Sequence, residues 1–576
     1  MTHSPPPPTA LPLEAAQVAA LLREIGTRLE LTGESPFKFR AYHTAAESLE
    51  ALPTPLAKVL AQNRLRSLPG VGEALAEKIL KLHKSGSHPT LEYLREQLPS
   101  GVLDLMQVQG LGPKKAMLLF NALKIDSLAA LEDACRADKL AALKGFGVKL
   151  QSAFLKHLEQ LKACSDKFLI DTAYARALAA EHALKDRVPG LKSVRIAGSV
   201  RRGCEVSDKI TLAVSWDDAL HPSGPGGPGG PGGPESSADF ALVSAPEAHF
   251  GAALLFATGS ETHWNQLCKL AESKGLSLSP NGLSRGSSDC VCDTEEAVYA
   301  ALGLHFIEPE LREGRGEIEL ASRGALPRLV CEADLRGILH CHTVFSDGRN
   351  SLAEMAEGAR ALGAHYFGVC DHSQSAAYAG GLKIEKVRAQ HENADALNAH
   401  YKGANFQIFK GIESDILQDG ALDFPASQLA EFDFIVASVH SRFQLSKKEQ
   451  TARIVRAVEN PFTTILGHPT GRLLLKREGY EVDLETVLAA CAKHGVAVEI
   501  NAHPQRLDLD WRWHTRALEL GCLFAINPDA HDVAGLQLQK WGVSVARKGG
   551  IPPERVLNCL ERSEIAAHFT KRKSKG

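Results

Sequence analysis

Histidine is the residue this sequence deploys most unevenly. Of its 23 histidines, six fall with two aspartates and a glutamate in short signatures: His340-x-His342 followed by Asp347, then His372, Glu413, His440, His468 and Asp529-x-His531. Imidazoles and carboxylates are metal ligands by type. Nine of them exceed what one ion takes, so the set predicts two or three divalent cations. The His-rich mixture suits Zn²⁺, Mn²⁺ or Fe²⁺ better than Mg²⁺ or Ca²⁺, which prefer oxygen-only shells. Metals held this way lower the pKa of a bound water and stabilise charge developing on a phosphoryl group. Arg442, Arg472 and Arg506 lie close in sequence to these residues and could clamp a phosphate; Arg506 joins the nine as a candidate catalytic residue. A lone histidine is more often a core or surface side chain, and His365, His391, His400 and His503 are read that way.

These ligands sit at or just after short apolar runs: GILH, YFGVCDH, FQIFKGIE, FIVASVH, TTILGHP and LFAINPDAH, with VAVEIN among them. Helical stretches alternate with the runs until about Ile551. Repeated β-α units predict a parallel sheet or barrel, whose C-terminal strand edge is the reactive one. His-x-His on a strand turns both rings to one face. With 576 residues the chain predicts several domains. Hydrophobic content of 44% and charged content of 23% are globular values. A net charge of -3 excludes a basic balance spread over the whole chain. No run of 18 apolar residues appears, so no membrane span is expected. Twelve cysteines without a CxxC pair predict reduced thiols and a cytoplasmic location. The Gly/Pro tract at 221–237 predicts a flexible insert, and the C-terminal KRKSKG reads as a solvated basic tail.

The first 160 residues carry helical spacing, as in Val18, Leu21, Leu22, Ile25 and Leu29. Three Gly-hydrophobic-Gly turns interrupt them: Gly70-Val-Gly72, Gly110-Leu-Gly112 and Gly145-Phe-Gly147. Lys78, Lys114, Lys115 and Lys149 follow. Over 51–165 there are 16 Lys and Arg against 10 Asp and Glu. One such turn could be an ordinary helix connection. Three in order resemble the helix-hairpin-helix motif, which offers free helix N–H groups to a DNA phosphate. The upstream PFKFRAYHTAA resembles the N-terminal domain of family X DNA polymerases.

Gly198-Ser-Val-Arg-Arg-Gly-Cys-Glu205 resembles the nucleotidyltransferase signature of that family, where a following Asp-x-Asp strand holds two metals. Here the two acid positions are Lys209 and Thr211, and a lysine opposes a cation by charge alone. Asp208 alternates to the opposite face. Asp239 is the candidate third acid, and Ala241 stands in place of the usual arginine. Phe256-Ala-Thr-Gly259-Ser260 and His263 match the family's nucleotide-proximal turn, with Trp264 and Cys268 where Asn and Arg are usual. The resemblance implies a degenerate nucleotide set of Gly198, Ser199, Arg201, Arg202, Asp239, Gly259 and Ser260. Mg²⁺ at this palm is not expected, and a dNTP stays open as a ligand.

The strings HCHTVFSDG, DH, GIESDI, SVH, GHP and INPDAH resemble the PHP (polymerase and histidinol phosphatase) domain. The whole order resembles bacterial-type family X DNA polymerases. It implies a multidomain fold: an all-α helix-hairpin-helix region, an α+β palm and thumb, and a distorted TIM-like β/α barrel. The expected divisions are 1–90, 91–167, a palm at 168–262, a thumb at 263–322, a linker at 323–333 and the barrel at 334–576. The implied activity is Mn²⁺-stimulated 3′→5′ exonuclease, with abasic-site endonuclease and 3′-end cleaning in base-excision repair. The implied partner is gapped, nicked or abasic duplex DNA with its 3′ ends. The rivals are a gap-filling polymerase with proofreading, a small-molecule phosphomonoesterase and a silent DNA-binding scaffold.

Overall fold

The computed structural model describes residues 12–50, 52, 54–108, 110–188, 190–216, 240–290 and 292–573. The insert at 221–237 and Asp239 lie outside them. The chain divides into two compact units, Met1–Ser165 and Asp166–Gly576. Among the described residues no helix is long and apolar enough to cross a membrane, and all twelve cysteines are free.

The first unit is all helix. Val18, Leu22, Ile25 and Leu29 recur at helical spacing along Ala15–Leu31 and are buried, with Leu21 half-buried. They pack with Tyr42, Ala45 and Leu49 of helix Pro36–Glu50 into one core. A second core gathers Val102 to Leu158 around Phe146 and Phe154.

The second unit begins with a small α+β region. Strands β1 (Phe168–Leu169) and β3 (Val206–Ser207) pair with each other, while β2 (Leu191–Ala197), β4 (Ile210–Trp216) and β5 (Phe240–Pro246) form a sheet in the order β2-β4-β5. β4 is antiparallel to β2 and parallel to β5. A helical layer follows, with a three-stranded antiparallel sheet of β6 (Ser277–Ser279), β7 (Gly282–Arg285) and β8 (Ser288–Cys290). Its apolar core runs from Ala252 to Ala321, so it begins inside helix Phe250–Thr258.

Seven parallel strands make the last region: β9 (Gly337–Cys341), β10 (Tyr366–Val369), β11 (Gln407–Asp415), β12 (Phe434–Ser438), β13 (Ile465–Leu466), β14 (Ala497–Asn501) and β15 (Phe524–Asn527), neighbours in chain order. The edges meet through a bridge between Cys341 and Ala530, where the His342 N–H donates to the Ala530 carbonyl at 2.8 Å. The sheet is thus nearly a closed barrel, the distorted TIM-like form expected. Every residue of β9, β10, β12, β14 and β15 is buried, as strands covered on both faces must be.

The start of the basic C-terminus corrects the sequence reading, while residues 574–576 lie outside the described residues. Lys571–Lys573 end a helix begun at Arg562. Arg572 is buried and donates to the carbonyls of Val458, Asn460 and Thr463. An arginine satisfying three free carbonyls is a strut, not a solvated tail.

Candidate metal centre

The barrel brings all nine predicted ligands to one end. His340 lies in β9 and His342 just past it; His372, His440, His468 and Asp529 lie two or three residues beyond β10, β12, β13 and β15. Glu413 sits inside β11, with His372 bridged beside it. Asp347 and His531 come from the loops after β9 and β15. Plain alternation does not account for the His340–His342 pair. The β9–β10 register shifts next to His340, whose φ is +54°. His468 and Asp529 are also left-handed, at +23° and +52°. Left-handed backbone at three ligand positions is strain of the kind that collects at functional sites.

Glu413 is the hub. Its carboxylate lies 2.8 Å from His372 Nδ1, 2.9 Å from His468 Nε2, 3.2 Å from His440 Nε2 and 3.4 Å from His340 Nε2. Asp529 approaches His342 Nε2 at 3.1 Å. The half-exposed Asp347 stands 3.5 Å from His531 and 3.6 Å from His372. The His342 and His531 rings stack 4.2 Å apart. Burial disfavours charge on Glu413, yet His440, His372 and His340 hold it well below its ordinary value. Burial likewise resists protonation of His372 and His440, and Glu413 nonetheless raises them to about 10 and about 9. Burial, with His531 and His372 alongside, depresses His342 to about 3.

The donor set fits divalent ions. Three clusters have ligand atoms within 4.8 Å of one another: His342, Asp347, His372 and His531; His340, His342 and Asp529; and His372, Glu413 and His440. Buried Nε2 of His340 and Nδ1 of His342 have no hydrogen-bond partner, and His372 Nδ1 and Glu413 Oε2 have only each other, at 2.8 Å. Buried polar atoms are almost always paired, so unpaired imidazole nitrogens beside crowded carboxylates call for a ligand. Cations bound there would displace protons from the raised imidazoles.

Several supporting residues escape the sequence reading. Glu499 accepts from His340 Nδ1 at 2.6 Å and from the His468 N–H at 2.7 Å, and Asn527 donates to it at 2.8 Å. It turns His340 Nε2 inward. Asp415 does the same for His440 through its Nδ1. Asp371 takes Thr343, Ser346 and Gln390 as donors and fixes the loop behind His342. A lone charge in the apolar strand Ala497–Asn501 was the available signal for Glu499. Of the three arginines, Arg506 lies 3.5 Å from Asp529 and is partly exposed. Arg442 is exposed. Arg472 departs from the clamp expectation: it is bound to Asp510 and to the carbonyls of Arg506 and Leu507. His365 pairs with Glu561 at 3.2 Å, His391 packs on Phe432, His400 lies against Tyr401, and His503 Nδ1 accepts from the Gln505 N–H.

The palm residues sit differently. Thr211 is in register with Ala197 and Ala241, and a Cβ on Gly198 would lie 2.9 Å from its hydroxyl. None of these offers a carboxylate. Lys209 and Asp208 are exposed just before β4. Ser199 donates to Ser207. Ser260 caps helix Glu261–Ser273 by accepting from the His263 N–H, directly after Gly259, and the buried His263 ring bridges Glu317 and Tyr299. Arg201 meets Glu295 at 2.7 Å together with Thr258, and Arg202 meets Glu313 at 2.9 Å and the Thr258 carbonyl. Both guanidinium groups are therefore engaged by partners within the protein, although each is partly exposed. Fully buried Arg312 completes the Glu295 pair at 2.5 Å. Burial opposes charge on Glu295, but Arg312 and Arg201 keep its carboxyl below the ordinary value. Glu205 accepts from Trp511 Nε1 at 3.0 Å and Arg512 at 2.6 Å, both in the barrel. Lys548 of the barrel binds Glu313.

In the first unit the three Gly turns share one geometry. Gly70, Gly110 and Gly145 have φ of +75°, +84° and +93°. Gly72, Gly112 and Gly147 are N-caps of helices Glu73–Ser85, Pro113–Leu123 and Val148–Cys164, each without a side-chain cap. Nothing lies within 4 Å of where their Cβ atoms would be. No side chain therefore crowds these three caps. Lys114 and Lys149 are exposed, Lys78 stands 5.8 Å over the Tyr42 ring, and Lys115 reaches the Gly110 carbonyl.

Four segments of the chain match known domain families. Residues 14–88 match a helix-hairpin-helix domain, 102–151 a SAM-like helix-hairpin-helix tandem, 253–313 the DNA polymerase beta thumb and 339–503 the PHP domain. The chain is 34% identical to the DNA polymerase/3′-5′ exonuclease PolX of Bacillus subtilis (strain 168), over 96% of this chain and 99% of that one. A probable phosphatase of Thermoanaerobacter sp. (strain X514) is 26% identical over 41% of this chain and 95% of its own length. DNA polymerase lambda of Rattus norvegicus is 25% identical over 48% of this chain and 53% of its own.

Proposed function

The chain belongs to the PolX family X DNA polymerases, and from that premise we propose that it is chiefly a metal-dependent DNA 3′→5′ exonuclease acting through its barrel, with a palm impaired or inactive in polymerisation. The observation that carries this is the set of buried, unpartnered ligand atoms around Glu413. His340, His342, Asp347, His372, Glu413, His440, His468, Asp529 and His531 would hold two or three divalent ions, Mn²⁺ first. Such ions supply a water acidified to hydroxide and offset charge on the phosphate. The chain's own residues do the rest. Glu499 and Asp415 fix the imidazoles, and Arg506 stands where it can meet a phosphate oxygen. Abasic-site and 3′-end cleaning activities would follow from the same site.

The bare N-caps at Gly72, Gly112 and Gly147, with Lys78, Lys114, Lys115 and Lys149 nearby, support binding of the DNA backbone without sequence reading. Those elements have no use in a phosphomonoesterase, and the phosphatase relative matches only a barrel-sized share of the chain. At the palm, Lys209 and Thr211 leave the metal positions without acids, while Arg201 and Arg202 serve as internal struts. A dNTP would therefore find few free groups there.

The test uses a 5′-labelled gapped duplex with Mn²⁺, with and without four dNTPs, in wild type and His342→Ala. Shortening that persists with dNTPs and disappears in His342→Ala is expected. Primer extension that survives His342→Ala would overturn the palm reading, and shortening that survives it would overturn the barrel reading.

A further inference from the structure

Tyr378 stands at the mouth of the metal centre. Its ring centroid is 6.1 Å from that of His372 and 6.3 Å from that of His440. It is 72% exposed, whereas Tyr366, Tyr401 and Tyr480 of the same barrel are buried. A single exposed aromatic is ordinary; the way this one is held is not. It rides a short turn, Ala377–Ala379, between two chain segments bridged at Ser373 and Leu382. The Ser373 N–H donates to the Glu413 carbonyl at 2.9 Å, and the Leu382 N–H to the His372 carbonyl at 2.8 Å. Ser375 and Gln374 tie the turn to Asp423. Gly380 takes φ +70°, and a Cβ on Gly381 would lie 2.0 Å from the Ser373 carbonyl, so neither position admits a side chain without displacement. The turn that carries the ring is therefore held by the backbone of His372 and Glu413, two of the candidate ligands.

We propose that Tyr378 is a stacking platform for the nucleobase next to the scissile phosphate. The inference rests on the nuclease reading and adds the group that recognises the nucleoside. With the phosphate over the ligands, the sugar spans the gap to the ring. A tyrosine on a preordered turn has only two side-chain torsions to fix on stacking. Stacking on an aromatic is indifferent to sequence, because every base has a π-face, and is worth roughly 1–3 kcal/mol per base. An exonuclease that must accept any terminal base needs contact of that kind rather than hydrogen-bond readout.

The experiment measures binding, with Mn²⁺, of a single-stranded oligonucleotide ending in 2-aminopurine through a hydrolysis-resistant phosphorothioate. A second oligonucleotide lacks the terminal base. For wild type and Tyr378→Phe, binding is expected to quench the fluorophore, and loss of the base to weaken affinity about tenfold. For Tyr378→Ala, quenching disappears and loss of the base costs less than about twofold, below one stacking contact. Equal base dependence in all three proteins would overturn the proposal. So would a Tyr378→Phe variant that behaves like Tyr378→Ala, which would assign the role to the hydroxyl. Failure of wild type to bind either oligonucleotide would overturn the nuclease reading itself.

Discussion

The palm and the barrel hold similar side chains and use them in opposite ways. In the barrel, Glu413 faces four imidazole nitrogens within 3.4 Å, yet His340 Nε2 makes no hydrogen bond and neither does the neighbouring His342 Nδ1. Around the palm, Arg201, Arg312 and Glu295 close on one another, as do Arg202, Lys548 and Glu313. One cluster is left open toward something absent from the chain, and the other is complete. What marks a chemical site is therefore which polar atoms remain unpaired, more than which residue types are present.

This contrast should be visible when one carboxylate is neutralised in each region. Glu413→Gln is expected to lower DNA cleavage by on the order of 10⁴-fold, the scale seen when one member of a cooperating set is removed. The rise in unfolding temperature that Mn²⁺ gives the wild type should vanish with it. Residual cleavage within tenfold of wild type would break the contrast. Glu295→Gln should do the reverse. It leaves the fully buried Arg312 without its counter-charge and should cost about 3–5 kcal/mol of stability by denaturant titration. Cleavage per folded molecule should stay unchanged; a loss of cleavage without a loss of stability would show that the palm cluster is chemical after all. Glu499→Gln lies between the two. Its carboxylate is paired, but with ligands, so Mn²⁺ affinity by calorimetry should fall about 10- to 100-fold. An unchanged affinity would move Glu499 to the structural side.

The barrel was readable from sequence because its ligands recur at the ends of apolar strands, so position in the fold and residue type point the same way. The seven apolar runs became the seven parallel strands, while their order around the sheet came only from the structure. What the repeat could not reveal are the partners across strands. Glu499 meets His340 over a separation of 159 residues, and the left-handed turn that aims His340 is a register shift no periodicity records. The palm was harder for the same reason. Arg201 and Arg202 carry the family signature, but their counter-charges lie 94 and 111 residues further on. Arg572 reads as tail because its acceptors, the carbonyls at 458, 460 and 463, are backbone and have no signature in residue type.

The contact of Glu205 with Trp511 and Arg512 bears on how this enzyme can be taken apart. Trp511 is buried, and its indole N–H has Glu205 as acceptor. Tyr174 lies edge-on to Trp541, and Arg315 stacks 5.2 Å over Trp511. A barrel expressed alone would begin with that N–H stripped of its partner, an apolar face laid bare and Lys548 short of its counter-ion. Poor activity in such a fragment would measure the loss of a supporting wall. Point substitutions in the intact chain, rather than truncation, are the way to assign work to each half.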